Sequence, residues 1–152
     1  MKKCLSAGLM AIAGSVLAPA AAMAFGEAGQ WSSGWGQGVS EYTAVDAKKN
    51  ALYIACSEDR PVSMTLTVAG QEYGGDGKDF SLIIDGKEIS QPYETSSRVG
   101  ANNFYFAWDA MRKAKRLEAR TSDGKVVNLP VKGIAKALPS TQSKGFPCQV
   151  DF

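Results

Sequence analysis

Hydrophobic and polar residues alternate in short runs along most of the chain. The clearest run is Val62-Ser63-Met64-Thr65-Leu66-Thr67-Val68, with four apolar residues on one side and three hydroxyls on the other, which is the period of a half-buried strand. Two earlier runs, Val39 to Val45 and Ala51 to Ser57, are joined across Asp46-Ala47-Lys48-Lys49-Asn50 and predict a hairpin. In the second of these, Leu52, Ile54 and Cys56 share a face, so Cys56 is expected to point into the core. Further on, Phe80 to Ile84 and Lys87 to Ser90 flank Asp85-Gly86, and Leu117 to Thr121 and Lys125 to Val131 flank Ser122-Asp123-Gly124. Both linkers suit tight hairpin turns, because glycine and aspartate tolerate positive φ.

Between those hairpins the period lengthens. Phe104, Ala107, Trp108 and Met111 fall on one helical face, with Asn102 or Asn103 as the expected N-cap. A shorter helix is predicted after Gly133, with Ile134, Ala137 and Leu138 on one face and Pro139 as its stop. Phe25 to Gly38, rich in glycine and serine around Trp31 and Trp35, reads as an irregular lead over the core, and Ala69 to Asp79 as a glycine-rich loop. The expected class is α+β: antiparallel hairpins forming a small sheet or sandwich, one main helix, one short C-terminal helix and one disulfide.

The N-terminus changes the picture. Lys2 and Lys3, an apolar run from Leu5 to Leu17, Pro19 and the small-residue site Ala22-Met23-Ala24 form the pattern of a secretory signal peptide, with cleavage expected after Ala24. The apolar run is shorter than the roughly 20 residues that span a bilayer, so no stable membrane insertion is expected after cleavage. The expected organisation is therefore a signal peptide over 1–24, an irregular lead over 25–38 and one domain over 39–152, located in the periplasm or secreted. Cys4 leaves with the signal, and the two remaining cysteines, Cys56 and Cys148, are expected to pair in an oxidising compartment. Removing residues 1–24 takes Lys2 and Lys3 but no acidic residue, which leaves basic and acidic residues equal in number. A neutral chain has no long-range pull on nucleic acid, and none is expected as a partner.

Candidate chemistry is sparse. With no histidine in the chain, Ser-His-Asp and Cys-His activation, imidazole general-base catalysis and the commonest zinc sets are excluded. A carboxylate pair of the glycosidase kind needs only two acids at the right separation, which sequence does not reveal. Ser122-Asp123-Gly124-Lys125 matches S-x-x-K, but it lies in a predicted hairpin turn and not at a helix start. Gly74-Gly75-Asp76-Gly77-Lys78-Asp79 lacks the acidic order and closing glutamate of a calcium loop. No catalytic residue, cofactor or metal is expected.

Two features remain as a partner surface. Trp31 and Trp35 read as cover for the core edge ahead of an aromatic platform for sugar rings or a partner protein. Arg112, Lys113, Lys115, Arg116, Arg120 and Lys125 cluster from the helix end into the last hairpin. They read as a solvated face that compensates the helix dipole ahead of an anion site, with Asp109 placed to pair with Lys113.

Three segments together resemble a known group: Leu52-Tyr53-Ile54-Ala55-Cys56, the helix Phe104 to Lys115, and Leu117 to Leu138 followed by Cys148. The chain resembles type VI secretion-associated periplasmic accessory proteins and, more loosely, invasion-associated locus B proteins. The shared marks are a strand cysteine, a helix ahead of an Arg-bearing strand, a G-[IL]-x-x-A-[IL] helix and a late cysteine. Here these are Cys56, Arg120, Gly133-Ile134-Ala135-Lys136-Ala137-Leu138 and Cys148. The resemblance implies a non-catalytic binding or accessory role toward a secretion or envelope component, with another envelope protein as partner, and carries over no site residue. A small exported disulfide domain also suits an inhibitor or immunity protein against a cell-wall hydrolase or toxin, which is the second expectation.

Overall fold

A computed structural model describes residues 25–75 and 77–152. The expected signal peptide and Cys4 lie outside the described residues. Among the described residues nine strands form two antiparallel sheets. The first has the order β1 (Gln30–Gly36), β2 (Val39–Val45), β3 (Ala51–Ser57), β4 (Ser63–Val68) and β5 (Gln71–Tyr73), a meander in which each strand pairs with its neighbour in sequence. The second has the order β7 (Lys87–Ser90), β6 (Phe80–Ile84), β8 (Leu117–Thr121) and β9 (Val126–Leu129). Helix α1 (Arg98–Arg112) connects β7 to β8, and α2 (Ile134–Ala137) follows β9.

The alternation read from the sequence decides which way each sheet faces. Leu52, Ile54 and Cys56 of β3, with Met64, Leu66 and Val68 of β4, are buried on one side of the first sheet. Leu82, Ile84, Leu117, Ala119 and Leu129 do the same in the second. Helix α1 closes the core with Ala101, Phe104, Ala107, Trp108 and Met111. Trp108 is fully buried; it meets Tyr42 edge-on at 5.3 Å and Phe146 edge-on at 5.3 Å, and its Nε1–H donates to the Pro139 carbonyl at 2.8 Å. A buried indole needs such an acceptor, because an unpaired N–H in the core costs as much as a lost hydrogen bond.

Four expectations are corrected. First, the lead is not irregular, because Gln30 to Gly36 is a full strand paired along β2 in the register Trp31–Ala44, Ser33–Tyr42, Trp35–Ser40. Its glycines and serines carry little strand propensity. What holds it is the two-residue turn Gln37-Gly38, both with positive φ (52° and 78°), and the burial of Trp31. The first sheet therefore includes residues before 39.

Second, the glycine-rich segment contains β5, reached through the positive-φ pair Ala69-Gly70. Gly74 is required there, since a Cβ would stand 2.2 Å from the Met64 carbonyl oxygen and its φ is +120°. Third, α1 starts earlier than expected. Ser97 is the N-cap, its side chain accepting from the Gly100 N–H at 3.0 Å, and Asn102 and Asn103 lie exposed inside the helix. The early start depends on Gly100, where a Cβ would lie 2.2 Å from the Glu94 carbonyl oxygen. Fourth, Asp109 accepts from Thr141 Oγ1 at 3.0 Å in place of the expected partner Lys113.

Candidate binding groove

Cys56 and Cys148 form the disulfide, with Cα atoms 4.5 Å apart and both residues buried. The bond clamps the C-terminal segment onto the end of β3. Beside it the Val62 N–H donates to the Gln149 carbonyl at 2.9 Å, a single bridge that ties the segment to the residues just before β4. Phe146 packs onto Trp108 and Tyr105.

Trp31 and Trp35 stand on the same face of β1, four residues apart, and have different fates. Trp31 is 5% exposed, covered by the connection from β9 to α2, with its Nε1–H donating to Pro130 O at 2.8 Å and its backbone N–H to Lys132 O at 2.9 Å. Trp35 is 75% exposed, so for this residue the expectation of core cover is overturned. The strand runs past the segment that covers Trp31, and its second indole is exposed.

Beside Trp35 lies a groove of roughly 620 Å³. Trp35, Phe146 and Pro147 line it together with the buried Cys56. Ser40, Ser57, Glu58 and Gln149 supply hydrogen-bonding groups around it. Glu58 is exposed and forms no ion pair among the described residues. Apart from Trp35, the sequence reading assigned none of these residues to a partner surface. The signal that would have found the groove is the i, i+4 tryptophan pair, once β1 is read as a strand.

The basic residues do not join this groove and do not converge. Arg112 turns inward, its Nε donating to Leu138 O at 2.9 Å. Arg116 pairs with Glu118 at 3.2 Å and Arg120 with Glu88 at 2.8 Å, while Lys113 is the exposed C-cap of α1. Lys125 Nζ donates to Tyr73 Oη at 3.0 Å and lies 3.3 Å from Asp123. In that cluster the Thr121 hydroxyl, donating to the Asp123 carboxylate, is the main cause that lowers its pKa to about 2, helped by Tyr73 and Lys125. Tyr73 and Asp123 raise the pKa of Lys125 in turn. The S-x-x-K match is thus a turn whose lysine ties the second sheet to β5.

Two carboxylates elsewhere are tied to tyrosine hydroxyls. Asp79 accepts from Tyr93 Oη at 2.7 Å, and the Tyr93 hydroxyl is raised well above its usual range, by burial first and Asp79 second. Tyr53 donates to Glu41 on the outer face of the first sheet, and burial, then Glu41, raises it to about 12. Among the described residues no group of three or more potential ligands is placed to hold a metal ion, and no helix is long and apolar enough to cross a membrane.

Comparison with known proteins adds a family. A family model described as YfjT matches residues 29–138. The uncharacterized protein YfjT of Escherichia coli (strain K12) is 28% identical over 123 residues, covering 74% of this chain and 79% of that protein. No solved structure matches the chain.

Proposed function

From the premise that this chain belongs to the YfjT family, we propose that it is an exported, non-catalytic binding module that contacts another component of the bacterial envelope or its secretion machinery. The observation that carries this reading is Trp35: a large indole held open on an ordered strand, beside a groove with a polar rim. An exposed tryptophan of this kind offers a large apolar contact at little cost in side-chain entropy, and such residues are enriched at interface hot spots. Export is supported by the N-terminal pattern and the Cys56–Cys148 bond, and an accessory role by the resemblance to type VI secretion-associated proteins.

The test is in-cell crosslinking of the tagged protein in its native periplasm, with Trp35→Ala in parallel. One or a few envelope or secretion proteins are recovered with the wild type and lost with the variant. Repeated recovery of nothing specific, or recovery indifferent to Trp35, refutes the reading. A second reading rests on the small disulfide-closed domain with its exposed β1–β2 turn: an inhibitor or immunity protein. Capture of a cell-wall hydrolase or toxin selects it.

A further inference from the structure

The first sheet ends on β1, and among the described residues the outer edge of that strand is unpaired at Ser33 and Trp35. In an antiparallel hairpin closed by a two-residue turn, the residues flanking the turn exchange hydrogen bonds and every second pair thereafter does so. With Gly36 opposite Val39, the bonded residues of β1 are Gly36, Gly34, Ser32 and Gln30. The N–H and C=O groups of Trp31, Ser33 and Trp35 therefore point away from β2. The Trp31 N–H confirms the phase independently, since it donates outward to Lys132 O. Ser33 and Trp35 have no such partner among the described residues, and both are exposed.

The other edges are protected in familiar ways. β5 has three residues, β9 has four, and β7 carries Lys87 and Glu88. β1 has seven residues and neither charge nor proline, the kind of edge that accepts another strand. Space is available on both sides of its free half. A recess of roughly 350 Å³ lies beside Ser33 and α2, and the groove of roughly 620 Å³ lies beside Trp35.

Resting on the binding-module reading above, we propose that the partner is bound as an extended polypeptide segment added to the β1 edge at Ser33 and Trp35, with a basic side chain set against Glu58. Backbone bonds to Ser33 and Trp35 supply the register. Side chains on one face of the added strand reach the Trp35 groove, because they alternate. The unpaired Glu58 carboxylate at that groove selects a cation.

The test uses the oxidised protein and a displayed library of linear peptides, with the enriched peptide then made as the probe. Expected are peptides bearing Lys or Arg, slowed hydrogen exchange at the Ser33 and Trp35 amides, and binding weakened at least about tenfold by Ser33→Pro and by Glu58→Gln. Proline is tolerated on an edge strand where the N–H faces solvent, so Ser33→Pro keeps the fold, and an unchanged circular dichroism spectrum verifies this. Peptides that bind through Trp35 without protecting the two amides overturn strand addition and leave the binding-module reading standing. Absence of enrichment, or enrichment only of soluble cell-wall glycan fragments offered in parallel, overturns the peptide assignment. A dimer of the protein itself that Ser33→Pro abolishes does so as well.

Discussion

Replacing both Cys56 and Cys148 with alanine should destabilise the domain by about 3 to 5 kcal/mol. The bond joins residues 92 apart in sequence, and for a loop of that size the chain-entropy model gives about 4.6 kcal/mol at room temperature. Most of that acts on the unfolded chain. In the folded protein the C-terminal segment keeps the Val62–Gln149 bond, the Phe146 contact with Trp108 and the Asp151 N–H to Thr95 Oγ1 bond at 3.1 Å, so it stays docked without the sulfurs. Urea denaturation followed by tryptophan fluorescence measures the effect, with buried Trp108 as a reporter of the core. The midpoint should fall and the m-value rise, because the unfolded chain without the crosslink exposes more surface. A loss below about 1 kcal/mol with an unchanged m-value refutes the reasoning, since the loop would then contribute nothing to the unfolded state.

The two tryptophans of β1 should separate cleanly in the same assay. Trp31→Ala, which empties a covered site and orphans the Pro130 carbonyl, should cost about 3 kcal/mol, whereas Trp35→Ala should stay within about 0.5 kcal/mol of wild type. Thr43 is fully buried under the segment at Gly26, and its hydroxyl has no partner among the described residues, so Thr43→Val should raise stability by about 1 kcal/mol; a lower urea midpoint would contradict this. For Asp123 the folded pKa lies near 2, below its ordinary 3.8, so its contribution is present above the ordinary value and is lost as pH falls toward 2. The wild-type midpoint should therefore drop across that window relative to Asp123→Asn, and parallel curves for the two proteins count against the Thr121-Asp123-Lys125 cluster.

Local periodicity was sufficient for much of this architecture. The alternation in β4, the Asp85-Gly86 and Ser122-Asp123-Gly124 turns and the helical face of Phe104, Trp108 and Met111 each depend on neighbours close in sequence, and all appear in the fold. The disulfide was legible too, because the signal pattern leaves only two cysteines and the alternation in β3 turns one of them inward. Other features depend on contacts remote in sequence. β1 is a strand because β2 pairs with it and Lys132 meets it from 101 positions away, which no propensity in Gln30-Trp31-Ser32-Ser33-Gly34-Trp35-Gly36 announces. Ser97 outcompetes Asn102 and Asn103 as N-cap because Gly100 lets the preceding turn approach. The basic cluster disperses because Glu88, Glu118 and the Leu138 carbonyl each claim one arginine. The difference between Trp31 and Trp35 has the same origin: a strand pattern places both on one face, and only the path of the chain after β9 determines which one is covered and which is left exposed.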